Sequence, residues 1–304
     1  MNRLVRMLLV AGSLVLLAAC TSTGTLNILS SVLGGGNGMS DAEKAEAVVK
    51  SARTVAKSFE DITPEQEYYI GRAVGAVVLD RYRPYTNQEA NHYLNVLGRI
   101  LSLVSDRPET FGGYHFLILD SKEINAFATP SGLIFVSLGM LRCASSEDTV
   151  AAILAHEIGH IELKHGLKAI KTSRITTALT SAALTGVAVA GSKEMAELTT
   201  VFGDSITDIA STMINSGYSR SSEVQADKSA VRILQAAGYN PWALVEMLEA
   251  MEQRLQPGGP DFAKTHPKPE LRIKEIEKKL AGIERNQPVH PQRQSRYRSA
   301  LGEL

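Results

Sequence analysis

The pentapeptide His156-Glu157-Ile158-Gly159-His160 constrains this chain more than any other feature, because it sets two histidines and a glutamate inside a strongly apolar run. Val150, Ala151, Ile153, Leu154, Ile158 and Ile161 surround it and predict a buried helix. On a helix, His156 and His160 leave the same face about one turn apart. Two neutral imidazoles so placed can fill two corners of a tetrahedral zinc site. Glu157 then projects beside the metal, where its carboxylate can take a proton from a zinc-activated water. Polar groups of this kind are costly to bury without such a role.

A catalytic zinc needs a third protein ligand and an open position. The segment Ser219 to Asp227 offers it, since Glu223 and Asp227 are again one helical turn apart. One of these carboxylates can bind metal while the other orients a ligating histidine. Ser221 or Ser222 is the expected N-cap of that helix. Arg220 is expected to pair with a carboxylate near the metal or to meet substrate, and Tyr218 to donate to a developing oxyanion or to pack in the core. His165 falls off the ligand face and reads as a partner of a ligand or as a cap. His92, His115 and His290 lack partners at useful spacing, and Cys143 reads as a small buried hydrophobe.

These elements sit in a mainly helical pattern with a small sheet before the motif, an α+β class. Thr63-Pro64-Glu65-Gln66 has the form of a capping box and opens a helix to about Tyr82, followed by another from Gln88 to Ser105. Tyr114–Leu119 and Leu133–Ser137 read as strands, joined through the turn residues Pro130-Ser131-Gly132. Ser145 with Asp148 opens the motif helix, which is expected to continue through His165. Further helices are expected at Glu223–Gly238, Pro241–Gln256 and Pro269–Ala281. Residues 284–304, with Pro288, Pro291 and Arg285, Arg293, Arg296 and Arg298, read as a loosely ordered arm.

The first residues point to export. Arg3 and Arg6 precede the small and apolar run Met7–Ala19, which has the form of a secretory signal over residues 1–19. Leu17-Ala18-Ala19-Cys20 is similar to a bacterial lipobox, so Cys20 is the expected lipidated residue, anchoring the chain to a membrane surface. Thr21 follows in place of the Asp of inner-membrane retention, which implies the outer membrane. Residues 20–40 are rich in Ser, Thr and Gly and read as a flexible tether to a domain over residues 41–283. The apolar stretch Thr176–Gly191 is too short to span a bilayer and is expected to form a buried or lid helix. With 32 basic and 32 acidic side chains and 6% aromatic residues, nothing favours a nucleic-acid partner.

Four ordered segments carry a family resemblance: Asn125–Gly132, His156–His160 with His165, Ser219–Asp227, and Thr265-His266-Pro267. The chain resembles the HtpX and prenyl-protein (CAAX) protease type of gluzincin, peptidase family M forty-eight, in its periplasmic lipoprotein branch, over roughly Thr63 to Leu280. The resemblance implies a zincin-like domain with one Zn2+ held by His156, His160 and Glu223, and Glu157 as base. It also implies that the strand Leu133–Ser137 is an active-site edge to which extended substrate adds as a strand. Ser131 departs from the Gly common at that position. Unfolded or misassembled envelope proteins are the implied substrates. A zinc-stabilised chaperone or scaffold that binds outer-membrane clients without turnover is the alternative, and the intact Glu157 separates the two. A wall-peptide amidase is a third, without a wall-binding module to support it. His266, flanked by proline, is expected to cap a helix or to close the fourth zinc position.

Overall fold

The computed structural model describes residues 62–169, 217–254, 269–302 and 304. The signal, Cys20, the tether, the stretch Thr176–Gly191 and His266 therefore lie outside the described residues. The first helix, α1 (Pro64–Arg81), starts as its sequence dictates. Thr63 accepts from the Gln66 N–H, and the Gln66 side chain accepts from the Thr63 N–H, closing the capping box. Helix α2 (Gln88–Leu103) is capped by Asn87. Strands β1 (His115–Leu119), β2 (Ala126–Ala128) and β3 (Leu133–Ser137) follow, then the short α3 (Leu138–Leu141).

The sheet order is β1-β3-β2, with β1 parallel and β2 antiparallel to β3. This corrects the expectation that Leu133–Ser137 is an edge: β3 is the central strand and is paired on both sides. The three-residue β2 was not expected from its sequence, and it forms the edge. The outer side of β1 is closed by side chains of α2. Asn95 Oδ1 accepts from the Phe116 N–H and its amide donates to the Phe116 carbonyl, while Asn91 Oδ1 accepts from the Ile118 N–H. Capping an edge in this way blocks further strand pairing.

Helix α4 (Glu147–Glu162) runs through the core, with every residue from Glu147 to Ile161 buried. Its N-cap is Ser146, paired with Thr149, rather than Ser145 with Asp148. It ends before His165, because Lys164 takes a left-handed φ of 54° and turns the chain. Helix α5 (Arg220–Ala236), capped by Ser219, packs along α4. Helices α6 (Ala243–Arg254) and α7 (Pro269–Leu280) complete this layer.

The C-terminal segment does not behave as a loose arm. Pro291–Leu301 forms α8, which packs on α2 and α4. Arg296 pairs with the buried Glu147, Tyr297 donates to the Ala144 carbonyl, and Leu301 is buried. These contacts come from distant residues, so no local periodicity announces them.

The turn before β3 is tied to α1. Buried Glu67 accepts two 2.7 Å bonds from Arg107 and a 3.1 Å bond from the Ser131 N–H. A Cβ on Gly71 would lie 1.9 Å from the Pro130 carbonyl oxygen, so only glycine lets α1 approach this turn. Ser131 itself adopts φ 65°, a conformation that favours glycine.

Candidate metal centre

Helix α4 presents His156 and His160 on one face, and the first turn of α5 presents Glu223 to them. All three side chains are buried. The two Nε2 atoms are 3.1 Å apart, and Glu223 oxygens lie 3.5 Å from His156 Nε2 and 3.4 Å from His160 Nε2. A tetrahedral zinc with bonds of about 2.0–2.1 Å sets its donors about 3.4 Å apart, and each Nε2 lies near that distance from one of the two Glu223 oxygens, Oε2 for His156 and Oε1 for His160. Their charges fit as well. Burial opposes charge on His156, with Arg272 acting in the same sense, yet hydrogen bonds the imidazole donates to the Asp227 and Glu223 carboxylates outweigh both and hold it up at about 9. The pocket favours a cation.

Close helix approach makes this geometry possible. A Cβ on Gly159 would stand 3.0 Å from the Ala226 carbonyl oxygen and 3.1 Å from Ser229 Cβ. The glycine of the motif thus lets α5 lie against α4 and brings Glu223 within reach of the histidines.

Behind the donors, each histidine has its own partner. His156 Nδ1 lies 3.0 Å from Asp227 Oδ1, and His160 Nδ1 lies 2.9 Å from His165 Nδ1. Burial pushes the Asp227 carboxyl up, but the Arg272 guanidinium outweighs it and holds the group at about 2. Burial, then His160, lowers His165 to about 3, so its ring is neutral. Burial raises Glu157 to about 7, within the range where a carboxyl exchanges protons readily. Tyr218 stacks over His160, with ring centroids 4.4 Å apart at 23°. Its buried hydroxyl has no hydrogen-bond partner among the described residues, and burial together with Glu157 and Glu223 keeps it protonated.

The structure brings together His156, Glu157, His160, Glu223, Asp227, Tyr218 and His165. Arg220 is exposed at the start of α5. The arginine that serves the site is Arg272 on α7, which the sequence reading missed. It donates to both Asp227 oxygens at 2.8 and 2.6 Å and lies 3.3 Å from Glu223 Oε2. Its one signal was position: Arg272, Ile276 and Leu280 share a face at four-residue spacing, and all three are buried.

Comparison with known proteins agrees with this geometry. The chain belongs to peptidase family M48, whose model matches residues 89–280 and so includes every residue of the site named above. It is similar to the Beta-barrel assembly-enhancing protease of Escherichia coli (strain K12), at 27% identity over 210 residues, covering 68% of this chain and 41% of that protein. It is also similar to the Mitochondrial metalloendopeptidase OMA1 of Schizosaccharomyces pombe, at 28% identity over 207 residues, 66% of this chain and 56% of the relative. Metalloprotease LoiP of Escherichia coli (strain K12) is 24% identical over 168 residues, 55% of this chain and 61% of the relative. These relatives carry the names of proteases or metalloendopeptidases. It spans about two fifths of the length of the Beta-barrel assembly-enhancing proteases. Among the described residues, no helix is long and apolar enough to cross a membrane.

Proposed function

We propose that this chain is a zincin-like endopeptidase holding one zinc through His156, His160 and Glu223, and that it cleaves extended segments of unfolded or misassembled envelope proteins. The convergence of three buried side chains, each with a ligand atom within 4.8 Å of the others, beside Glu157 is the observation that carries this reading. A zinc ion bound there supplies Lewis acidity, which polarises the scissile carbonyl and acidifies water. The Glu157 carboxylate takes the proton of the attacking water and returns it to the leaving nitrogen. The Tyr218 hydroxyl donates to the oxygen on which charge develops. Asp227 and His165 fix the two imidazoles, and Arg272 holds Asp227 and Glu223 in place.

Substrate enters as a strand on β2. The Thr129 N–H donates to Leu133 and the Ser137 N–H to Asn125, so Asn125, Phe127 and Thr129 face β3. By the same alternation Ala126 and Ala128 turn their main chain outward, and the Ala126 N–H is taken by Asn125 Oδ1. Among the described residues the two alanine carbonyls and the Ala128 N–H make no hydrogen bond, and they are the groups that would pair with an extended peptide. Folded proteins rarely offer such a segment, so unfolded chains are the substrate class. Lipid on Cys20 would confine this activity to the periplasmic face of the outer membrane, and Cys20→Ser should move the chain into the soluble fraction.

Purified protein incubated with unfolded, reduced casein tests the reading. Cleavage that stops with a chelator and returns with zinc supports it. Suppression of casein aggregation without any cleavage would instead establish a zinc-stabilised binder.

A further inference from the structure

We infer that His165 is a positioning residue for the metal site: its neutral imidazole accepts a hydrogen bond from His160 and fixes that ligand's tautomer and ring orientation. The inference rests on His160 being a zinc ligand. A neutral imidazole has one N–H and one lone pair. With Nε2 of His160 turned toward His156 and Glu223, its hydrogen belongs on Nδ1. That atom faces His165 Nδ1 at 2.9 Å, a distance at which one nitrogen donates and the other accepts. His165 therefore offers its Nδ1 lone pair and carries its own hydrogen on Nε2.

Its placement suits this task. Helix α4 ends at Glu162, and the left-handed Lys164 bends the chain so that residue 165 returns beside the ligand it follows by five positions. His165 is buried, and its Nε2 makes no hydrogen bond of ordinary geometry among the described residues. A buried imidazole is costly unless its nitrogens are partnered, and the bond to His160, with the Gln225 side chain also interacting with the ring, gives a reason for its presence. Tyr218 stacks on the same ring, so His160 is held by a hydrogen bond at its edge and an aromatic face above it.

The two ligating histidines are consequently supported by different chemistry. His156 leans on the carboxylate of Asp227, whose charge Arg272 offsets. His160 leans on an uncharged ring, which orients it without adding negative charge to a pocket that already holds Glu157, Glu223 and Asp227.

Zinc affinity of the full chain, measured by competition with a chromogenic chelator, tests this. His165→Phe keeps a ring of similar shape but removes the acceptor, and His165→Asn restores a carbonyl acceptor. The expectation is a loss of about 10–100-fold in zinc affinity for His165→Phe, substantially recovered in His165→Asn, with the melting temperature of the zinc-free protein changing little. Equal losses in both variants, or undiminished affinity in His165→Phe, would overturn the inference. If His165→Phe does not fold, nitrogen-15 NMR of the histidines in the zinc-loaded wild type decides. A hydrogen on Nε2 of His165 and on Nδ1 of His160 supports the role, and a hydrogen on Nδ1 of His165 refutes it. His160→Ala is the control. If it and the wild type bind zinc alike, the ligand assignment fails rather than the role of His165.

Discussion

Arg272 grips Asp227 with two N–H···O bonds of 2.8 and 2.6 Å, and Asp227 in turn reaches His156 Nδ1 at 3.0 Å. A side chain of α7 is thereby linked through Asp227 to the candidate metal site. Arg272, Asp227 and His156 are all buried.

Removing Arg272 leaves two buried carboxylates without their cation. Arg272→Met should destabilise the zinc-free fold by about 3–5 kcal/mol, the usual cost of breaking a buried pair from one side. Arg272→Lys keeps the charge but loses the planar fork that meets both Asp227 oxygens, so it should fall between the two. Chemical denaturation with chelator present measures both. Wild-type stability in Arg272→Met would remove the arginine from this account.

The glycine of the motif is a spacer between helices. Gly159→Ala requires a shift of a few tenths of an ångström at Ala226, partly offset by better helix propensity of about 1 kcal/mol. Gly159→Leu cannot be absorbed, and it should push α5 away and carry Glu223 out of reach. Zinc binding should survive in the first variant and fall sharply in the second, as read by titration. Equal zinc affinity in both would show that helix spacing does not position Glu223.

Tyr218→Phe keeps the stack on His160 and removes only the hydroxyl. The loss should appear in kcat, by about 100-fold or more, with zinc content and KM little changed. A change confined to zinc content would make Tyr218 a support for the ring.

A second titratable cluster lies at the start of α4. Tyr239 and Tyr93 approach Glu147 at 3.0 and 3.4 Å, and both phenols are raised above their ordinary value of 10, first by burial and then by Glu147. Below pH 10 both are neutral in the folded and unfolded chain. Above it the unfolded chain ionises first, so the stability these groups contribute is lost as pH climbs. Urea midpoints should decline from pH 10 upward and decline less steeply in Tyr239→Phe. An equally steep decline in Tyr239→Phe would exclude that phenol as the cause.

What the sequence disclosed was local. The Thr63–Gln66 box, the strand Leu133–Ser137 and the metal helix are each written in a few consecutive residues, and the structure places them there. Arg272 was hidden because its helix, with Glu270, Lys274, Glu275, Lys278 and Lys279 around it, reads as solvent-facing. The strand β2 escaped because Ala-Phe-Ala is too short and too weakly β-forming to stand out. Its edge position depends on pairing with β3. Helix α8 escaped for a related reason: its apolar side is short, Tyr297, Ala300 and Leu301, and it also docks through Arg296 on Glu147 and Arg293 stacked 4.0 Å over Tyr239.

Glu157→Gln tests the central claim most directly, because it removes the proton shuttle and leaves every proposed ligand in place. Casein cleavage and bound metal should be measured together in the wild type and the variant. The account predicts one zinc per chain in both and proteolysis only in the wild type. Loss of zinc from the variant, or cleavage at the wild-type rate, would contradict it.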